Sequence, residues 1–152
     1  MKVKDIMVQP VVVVRETDTL LDVARTMLDQ RIGCVPVVDA RGELVGIITE
    51  SDFTGRERYL PFSAFKMPQL FGEWLSNDAL ERIHEHARRL TAREIMTPEP
   101  VTATEDDGLT DVVQRMLHHG IHRIPVVRRR VPVGIVTRHD LLRVMAADER
   151  RR

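Results

Sequence analysis

Two short segments carry residue types suited to a phosphate and a sugar. Gly46-Ile47-Ile48-Thr49-Glu50-Ser51-Asp52 and Gly134-Ile135-Val136-Thr137-Arg138-His139-Asp140 share one order: glycine, two apolar residues, threonine, any two residues, aspartate. Each follows an apolar run that reads as a strand and opens a stretch that reads as a helix. A helix start offers free N–H groups and partial positive charge, which suit a phosphate. The hydroxyl of Thr49 or Thr137 can add a hydrogen bond to it. The carboxylate of Asp52 or Asp140 can accept two hydrogen bonds, matching the adjacent hydroxyls of a ribose. The same spacing also resembles a capping box, with Asp in place of Glu. Capping explains one occurrence; two at equivalent positions favour something more specific.

The elements that must position these residues are themselves duplicated. VPVVDARGELVGIITESD (Val35 to Asp52) pairs with IPVVRRRVPVGIVTRHD (Ile124 to Asp140). LLDVARTML (Leu20 to Leu28) pairs with LTDVVQRML (Leu109 to Leu117), and DIM (Asp5 to Met7) with EIM (Glu94 to Met96). Each copy reads as β-α-β-β-α. In the first, a strand over Pro10 to Val14 precedes a helix whose apolar positions are Leu20, Val23, Ala24, Met27 and Leu28, capped by Asp18 or Thr19. A hairpin follows over Cys34 to Val38 and Glu43 to Ile48, turning at Asp39 to Gly42, and a second helix opens at Thr49. In the second, a strand near Val101, a helix over Leu109 to His119, strands over His122 to Val127 and Val131 to Val136, and a helix from Arg138 repeat the order, with Asp106-Asp107 expected to cap the first helix. A unit below about 60 residues buries little surface, so the pair should fold as one α+β module about a pseudo-two-fold axis. The expected division is 1–54, an insertion over 55–91, 92–148, and a tail over 149–152.

The insertion is not explained by the repeat. All six aromatic residues, Phe53, Tyr59, Phe62, Phe65, Phe71 and Trp74, lie in it or at its edge. Asn77 can cap a helix with Leu80, Ile83, Ala87 and Leu90 on one face. The aromatics either complete the core or form a partner or dimer surface.

Composition narrows the class. With 23 basic and 23 acidic residues the formal net charge is zero, which argues against a general nucleic-acid footprint. Cys34 is the single cysteine, so no intrachain disulfide forms and nothing suggests secretion. No signal segment or membrane-length apolar run is present, which makes the cytoplasm the default location. Cys34 reads as a buried structural residue. His84 and His86 do not share a helix face. His118, His119, His122 and His139 lack the spacing of a zinc set. Neither a metal site nor an assembled nucleophile or acid/base pair is expected, so the chain is not read as an enzyme.

The duplicated G-h-h-T-x-x-D, the P-V-V pieces at Pro36 to Val38 and Pro125 to Val127, and the DIM and EIM segments together resemble the tandem cystathionine-β-synthase (CBS) domain pair, or Bateman module. The resemblance covers nearly the whole chain apart from Gly55 to Leu90. It implies two pseudo-symmetric β-α-β-β-α units, clefts for AMP, ADP, ATP or S-adenosylmethionine, and dimerisation. It places Thr137 and Asp140 on phosphate and ribose in one cleft and Thr49 and Asp52 in the other, with Val11, Val12, Val101 and Thr102 near the base. His122 and Arg123 resemble a basic pair that contacts phosphate in energy-sensing members, while Gly33 and Cys34 stand at those positions in the first copy. Arg138 after the threonine favours phosphate and Glu50 opposes it, so the second-copy site should be the stronger. The function implied is a regulatory module sensing an adenine nucleotide, non-covalently bound and read by a homodimer or an unidentified regulated protein. The alternative is a scaffolding or dimerisation module with degenerate clefts.

Overall fold

The amphipathic stretch after Thr19 forms helix α1 (Leu20–Gln30), with Leu20, Val23 and Met27 buried on its inner face. The structure, a computed structural model, describes residues 1–53 and 77–148, of which 77–80 and 148 by backbone alone. Of the two residues that could cap α1, Thr19 does so. Its hydroxyl accepts the Asp22 N–H and the Asp22 carboxylate accepts the Thr19 N–H, both at 3.2 Å. Asp18 turns back to the Arg15 N–H at 2.9 Å instead.

Strands β1 (Val14–Arg15), β2 (Cys34–Val38), β3 (Leu44–Thr49) and β4 (Thr97–Pro98) form one sheet in that order. β1 runs parallel to β2, and β4 antiparallel to β3. Every residue of β2 is buried, as its unbroken apolar run requires. The strand expected over Pro10 to Val14 is shorter than its composition suggests. Pro10 has no N–H for a ladder, and Val8 exchanges both backbone hydrogen bonds with Ile135. After β3 the chain makes a 3-10 turn over Glu50–Phe53, and the rest of the helix expected to open at Thr49 lies outside the described residues.

Helix α2 (Asn77–Arg89) buries Ile83 and Ala87, and the short α3 (Ala92–Ile95) buries both of its ends. Tyr59, Phe62, Phe65, Phe71 and Trp74 lie outside the described residues. In the second copy, helix α4 (Leu109–His119) has the bounds read from its periodicity, and it ends at Gly120 in the left-handed region, φ 61°. Strands β5 (Arg123–Arg128) and β6 (Val131–Thr137) form an antiparallel hairpin, and helix α5 (Arg138–Asp148) follows at once. The strand expected near Val101 is reduced to one parallel bridge, Ala103 to Val126.

The chain forms two compact units, which do not follow the order of the copies. The second-copy unit gathers Met1–Val11, Arg41–Leu44 and the described part of 99–152. The first-copy unit gathers Val12–Ala40 and the described part of 45–98. Each lead segment is thereby exchanged. Val3 and Met7 pack with Val112, Met116, Ile124 and Val136. Ala92 and Ile95 pack with Leu20, Val23, Val35 and Ile48, and Met96 lies against that cluster.

The exchange explains the glycine of each duplicated motif. A Cβ on Gly134 would stand 2.6 Å from Met7 Sδ and 3.2 Å from the Val8 carbonyl, and one on Gly46 would overlap the Met96 side chain. Both strands leave room for the methionine of an exchanged segment. Gly134→Ala and Gly46→Ala are each expected to destabilise by about 1–3 kcal/mol through overpacking, measured by denaturant unfolding. Adding Met7→Ala to Gly134→Ala should recover part of that loss. Strict additivity in the double variant would show that Met7 is not the obstructing group.

Candidate functional site

The second-copy candidates meet at one end of the β5–β6 hairpin. Arg123 stands opposite Thr137 in the register, and opposed residues of an antiparallel pair share a face. The His122 carbonyl accepts the Arg138 N–H at 3.0 Å. That bond ties the start of α5 to the start of β5 and draws His122, Arg123, Thr137 and Arg138 together. Arg123 and Thr137 are half-buried, while His122 and Arg138 are exposed.

Asp140 lies at the centre of this corner, its side chain only 4% exposed. Its Oδ2 accepts the Thr137 N–H and the Thr137 hydroxyl, each at 2.8 Å. Its Oδ1 lies 3.7 Å from Arg143 Nη1, longer than a hydrogen bond. The carboxylate is divided: one oxygen locks the strand-to-helix corner, and the other keeps its capacity to accept. Capping and ligand binding therefore need not compete for one atom. A cavity of about 850 Å³ adjoins this side chain, with Asp5, Ile6, Arg143 and Val144 in its wall.

Val101 and Thr102, both half-buried, lead into the Ala103 bridge. Thr102 is held by a residue that sequence reasoning missed. Arg115 of α4 donates to the Thr102 carbonyl at 3.0 Å and to Asp107 at 2.7 Å. No motif marks Arg115; its partners are 13 and 8 residues away. Arg143 was also missed, although helical spacing from Asp140 could have found it. Asp106 and Asp107 do not cap α4, whose N-cap is Gly108 without a side-chain bond. Asp107 instead accepts the Thr104 N–H and hydroxyl, and Asp106 accepts from Lys2 and Lys4. These charges are taken by the loop and the N-terminal segment, and the first helical N–H, of Leu109, bonds the Met1 carbonyl at 3.2 Å instead.

The first-copy corner repeats the frame but not the chemistry. Asp52 Oδ2 accepts the Thr49 N–H at 2.8 Å, and the Glu50 N–H bonds the Gly33 carbonyl at 3.1 Å. The Thr49 hydroxyl, however, lies 2.7 Å from Ser51 Oγ and 3.5 Å from Asp52. Gly33 and Cys34 bring no charge, Cys34 is buried, and Glu50 is exposed. Val11 and Val12 are half-buried in the chain before β1 and fall in different compact units, Val11 with the second copy and Val12 with the first. Among the described residues, no cluster of three or more His, Cys, Asp or Glu side chains could hold a metal, and no helix is long and apolar enough to cross a membrane.

The family model for the CBS domain matches residues 3–57 and 92–147. An uncharacterised protein of Methanocaldococcus jannaschii is 33% identical over 95% of this chain and 91% of its own length. The solved CBS domain of a CBS-domain-containing membrane protein from Sphaerobacter thermophilus is 49% identical, with a TM-score of 0.80 over 94% of this chain and 86% of that one. A CBS domain pair solved with 5′-methylthioadenosine and S-adenosyl-L-methionine is 28% identical, with a TM-score of 0.71 over 97% and 98% of the two chains.

The loop beside Thr102 is tied to the N-terminal segment by charge. Lys2 and Lys4 approach Asp106 Oδ1 at 3.0 and 2.9 Å, and the Val3 and Lys4 N–H groups bond the Asp107 and Glu105 carbonyls. The hydrogen bond from Lys4, with that from Lys2, lowers the Asp106 pKa to about 2. A depressed carboxylate contributes its stabilisation in full above its ordinary value of 3.8 and loses it as pH falls through about 2. Hydrogen exchange at Val3 and Lys4 should therefore accelerate relative to the core between pH 4 and 2, and with added salt at neutral pH. Asp106→Asn should show the faster exchange already at neutral pH. Equal protection in the variant would show that the backbone bonds alone hold the segment.

Proposed function

The chain belongs to the CBS domain family, and from that membership we propose that it is a regulatory module binding an adenosyl ligand, an adenine nucleotide such as AMP, ADP or ATP, or S-adenosylmethionine. The observation that carries the reading is the divided carboxylate of Asp140. Its Oδ1 can accept ribose hydroxyls while Oδ2 holds the corner at which Thr137, Arg123 and Arg138 gather. The arginines suit a phosphate, with His122 beside them and Val101 and Thr102 toward the base. The relative solved with 5′-methylthioadenosine and S-adenosyl-L-methionine supports the adenosyl part of the reading. Regulation requires that the ligand bind two arrangements of the chain unequally, and catalysis has no part in it. The buried reduced thiol of Cys34 suits the cytoplasm.

The first-copy corner supports a weaker version of the alternative. With the Thr49 hydroxyl turned to Ser51 and Glu50 beside it, a site at Thr49 and Asp52 is poor for a multiply charged phosphate. One strong site per chain follows, with the first copy closer to a scaffold.

Dimerisation is part of the proposal. Each unit leaves one large leucine of its first helix in water, Leu28 at 76% and Leu117 at 70% exposed, and these are equivalent positions of the repeat. Leu28 borders a mainly apolar cavity of about 560 Å³ with Met27, Ile32 and Phe53. A second copy of the chain is the commonest occupant of such a face. A regulated partner protein would read the ligand-dependent state of that dimer.

Asp140→Asn tests the ligand site, since the amide retains one oxygen for the Thr137 N–H and removes the second acceptor. Affinity for AMP by calorimetry should fall by about 1.5–3 kcal/mol, and Asp52→Asn should cost less. Unchanged affinity in a folded Asp140→Asn protein would leave this residue as a corner clamp only. Leu28→Glu with Leu117→Glu should yield a folded monomer by light scattering, because both positions are exposed in the single chain. A variant that remains dimeric would place the interface elsewhere.

A further inference from the structure

The cavity beside Asp140 has further charged side chains in its wall, Asp5 and Arg143. On one side stands the N-terminal turn with Asp5 and Ile6; on the other, α5 with Asp140, Arg143, Val144 and Met145. Ile6, Val144 and Met145 give an apolar surface for a planar or aliphatic group. The charged side chains in the wall are two carboxylates and one guanidinium. Asp5 Oδ2 accepts the Lys2 N–H at 2.8 Å, a bond to a neutral backbone donor. Arg143 is 67% exposed and stands 3.7 Å from Asp140 Oδ1, close enough to offset its charge but not bonded to it. It is free to turn toward whatever occupies the cavity.

We infer that Arg143 sets the charge of the ligand that this cavity accepts, favouring an adenosyl compound with an anionic 5′ group over one with a neutral or cationic group. The inference rests on the adenosyl reading of the Asp140 site. The two carboxylates alone repel a phosphate and attract a cation, and the guanidinium offsets that bias. It can also donate two parallel hydrogen bonds to a phosphate, which an ammonium cannot. The position three residues after the motif aspartate is Gly55 in the first copy, so the repeat itself does not require arginine there.

Three ligands that share adenine and ribose and differ at the 5′ position form the test. AMP is dianionic, 5′-methylthioadenosine neutral, and S-adenosylmethionine net cationic. Calorimetry is run with the unsubstituted chain, Arg143→Gln and Arg143→Lys, with circular dichroism melts to confirm folding. Arg143→Gln should weaken AMP about three- to tenfold, the scale of a partly exposed charge contact. It should leave 5′-methylthioadenosine unchanged and tighten S-adenosylmethionine. Arg143→Lys should restore the part of the AMP affinity that charge alone supplies, and added salt should shrink the preference for AMP in the unsubstituted chain. If AMP and 5′-methylthioadenosine respond alike to Arg143→Gln, the charge-selecting role is overturned while the adenosyl site stands. If the unsubstituted chain binds none of the three, the adenosyl reading fails and this inference with it.

Discussion

The structure depends on two methionines packed against two glycines. Met7 lies over Gly134 and Met96 over Gly46, each in the unit built on the other copy. The contact is possible only because both strands lack a Cβ where the sulfur passes. It pulls the whole lead segment with it: Val3 and Met7 enter one core, Ala92 and Ile95 the other. Full burial of a Val or Met side chain contributes about 1.5–3 kcal/mol, so each short lead segment is a substantial part of the core it joins. A single copy with its own lead segment would lack that part. The duplication is thus a folding requirement before it is a functional one.

The glycine, the threonine and the aspartate of the repeated motif have separate physical duties along one strand. The glycine admits the methionine. Two apolar residues then enter the core: Ile48 and Val136 are fully buried, and Ile47 and Ile135 nearly so. The threonine ends the strand, and the aspartate bonds back to its N–H at 2.8 Å in both copies. That bond satisfies a donor which a strand-to-helix corner would otherwise leave unpaired. In the second copy the other oxygen, Asp140 Oδ1, takes no part in that bond. A motif read as a binding signature is therefore, in most of its atoms, a device for making the corner.

Much of this was legible because it is local. The bounds of α4 follow from apolar residues at helical spacing and a glycine in the left-handed region after His119. β2 could be read from its unbroken apolar run, and the hairpins from their turn residues. The exchange of lead segments could not be read, because DIM and EIM look alike and local pattern does not say which copy each joins. β1 was overestimated because Val11 to Val13 have strand composition, yet their neighbour Val8 bonds to Ile135. At the candidate site, Thr137, Asp140, Arg123 and Arg138 announced themselves by repetition and charge. Arg115 did not, since its role comes from the carbonyl of Thr102, and a backbone atom leaves no trace in side-chain pattern.

The positions that differ between the copies lie beside the shared frame rather than within it. Thr49 and Thr137, Asp52 and Asp140, Gly46 and Gly134 hold the same places, and the threonine N–H bonds the aspartate at 2.8 Å in both copies. Around them, His122, Arg123, Arg138 and Arg143 face Gly33, Cys34, Glu50 and Gly55 in the paired sequence. None of the four second-copy side chains is needed for the corner, which the first copy forms with glycine, cysteine and glutamate in three of those positions. Three arginines against one glutamate at matched sequence positions is a large difference in charge. A repeat whose frame is fixed by packing can change the charge around one corner without disturbing the other. That separation lets a pseudo-symmetric chain carry two unlike electrostatic environments on one fold.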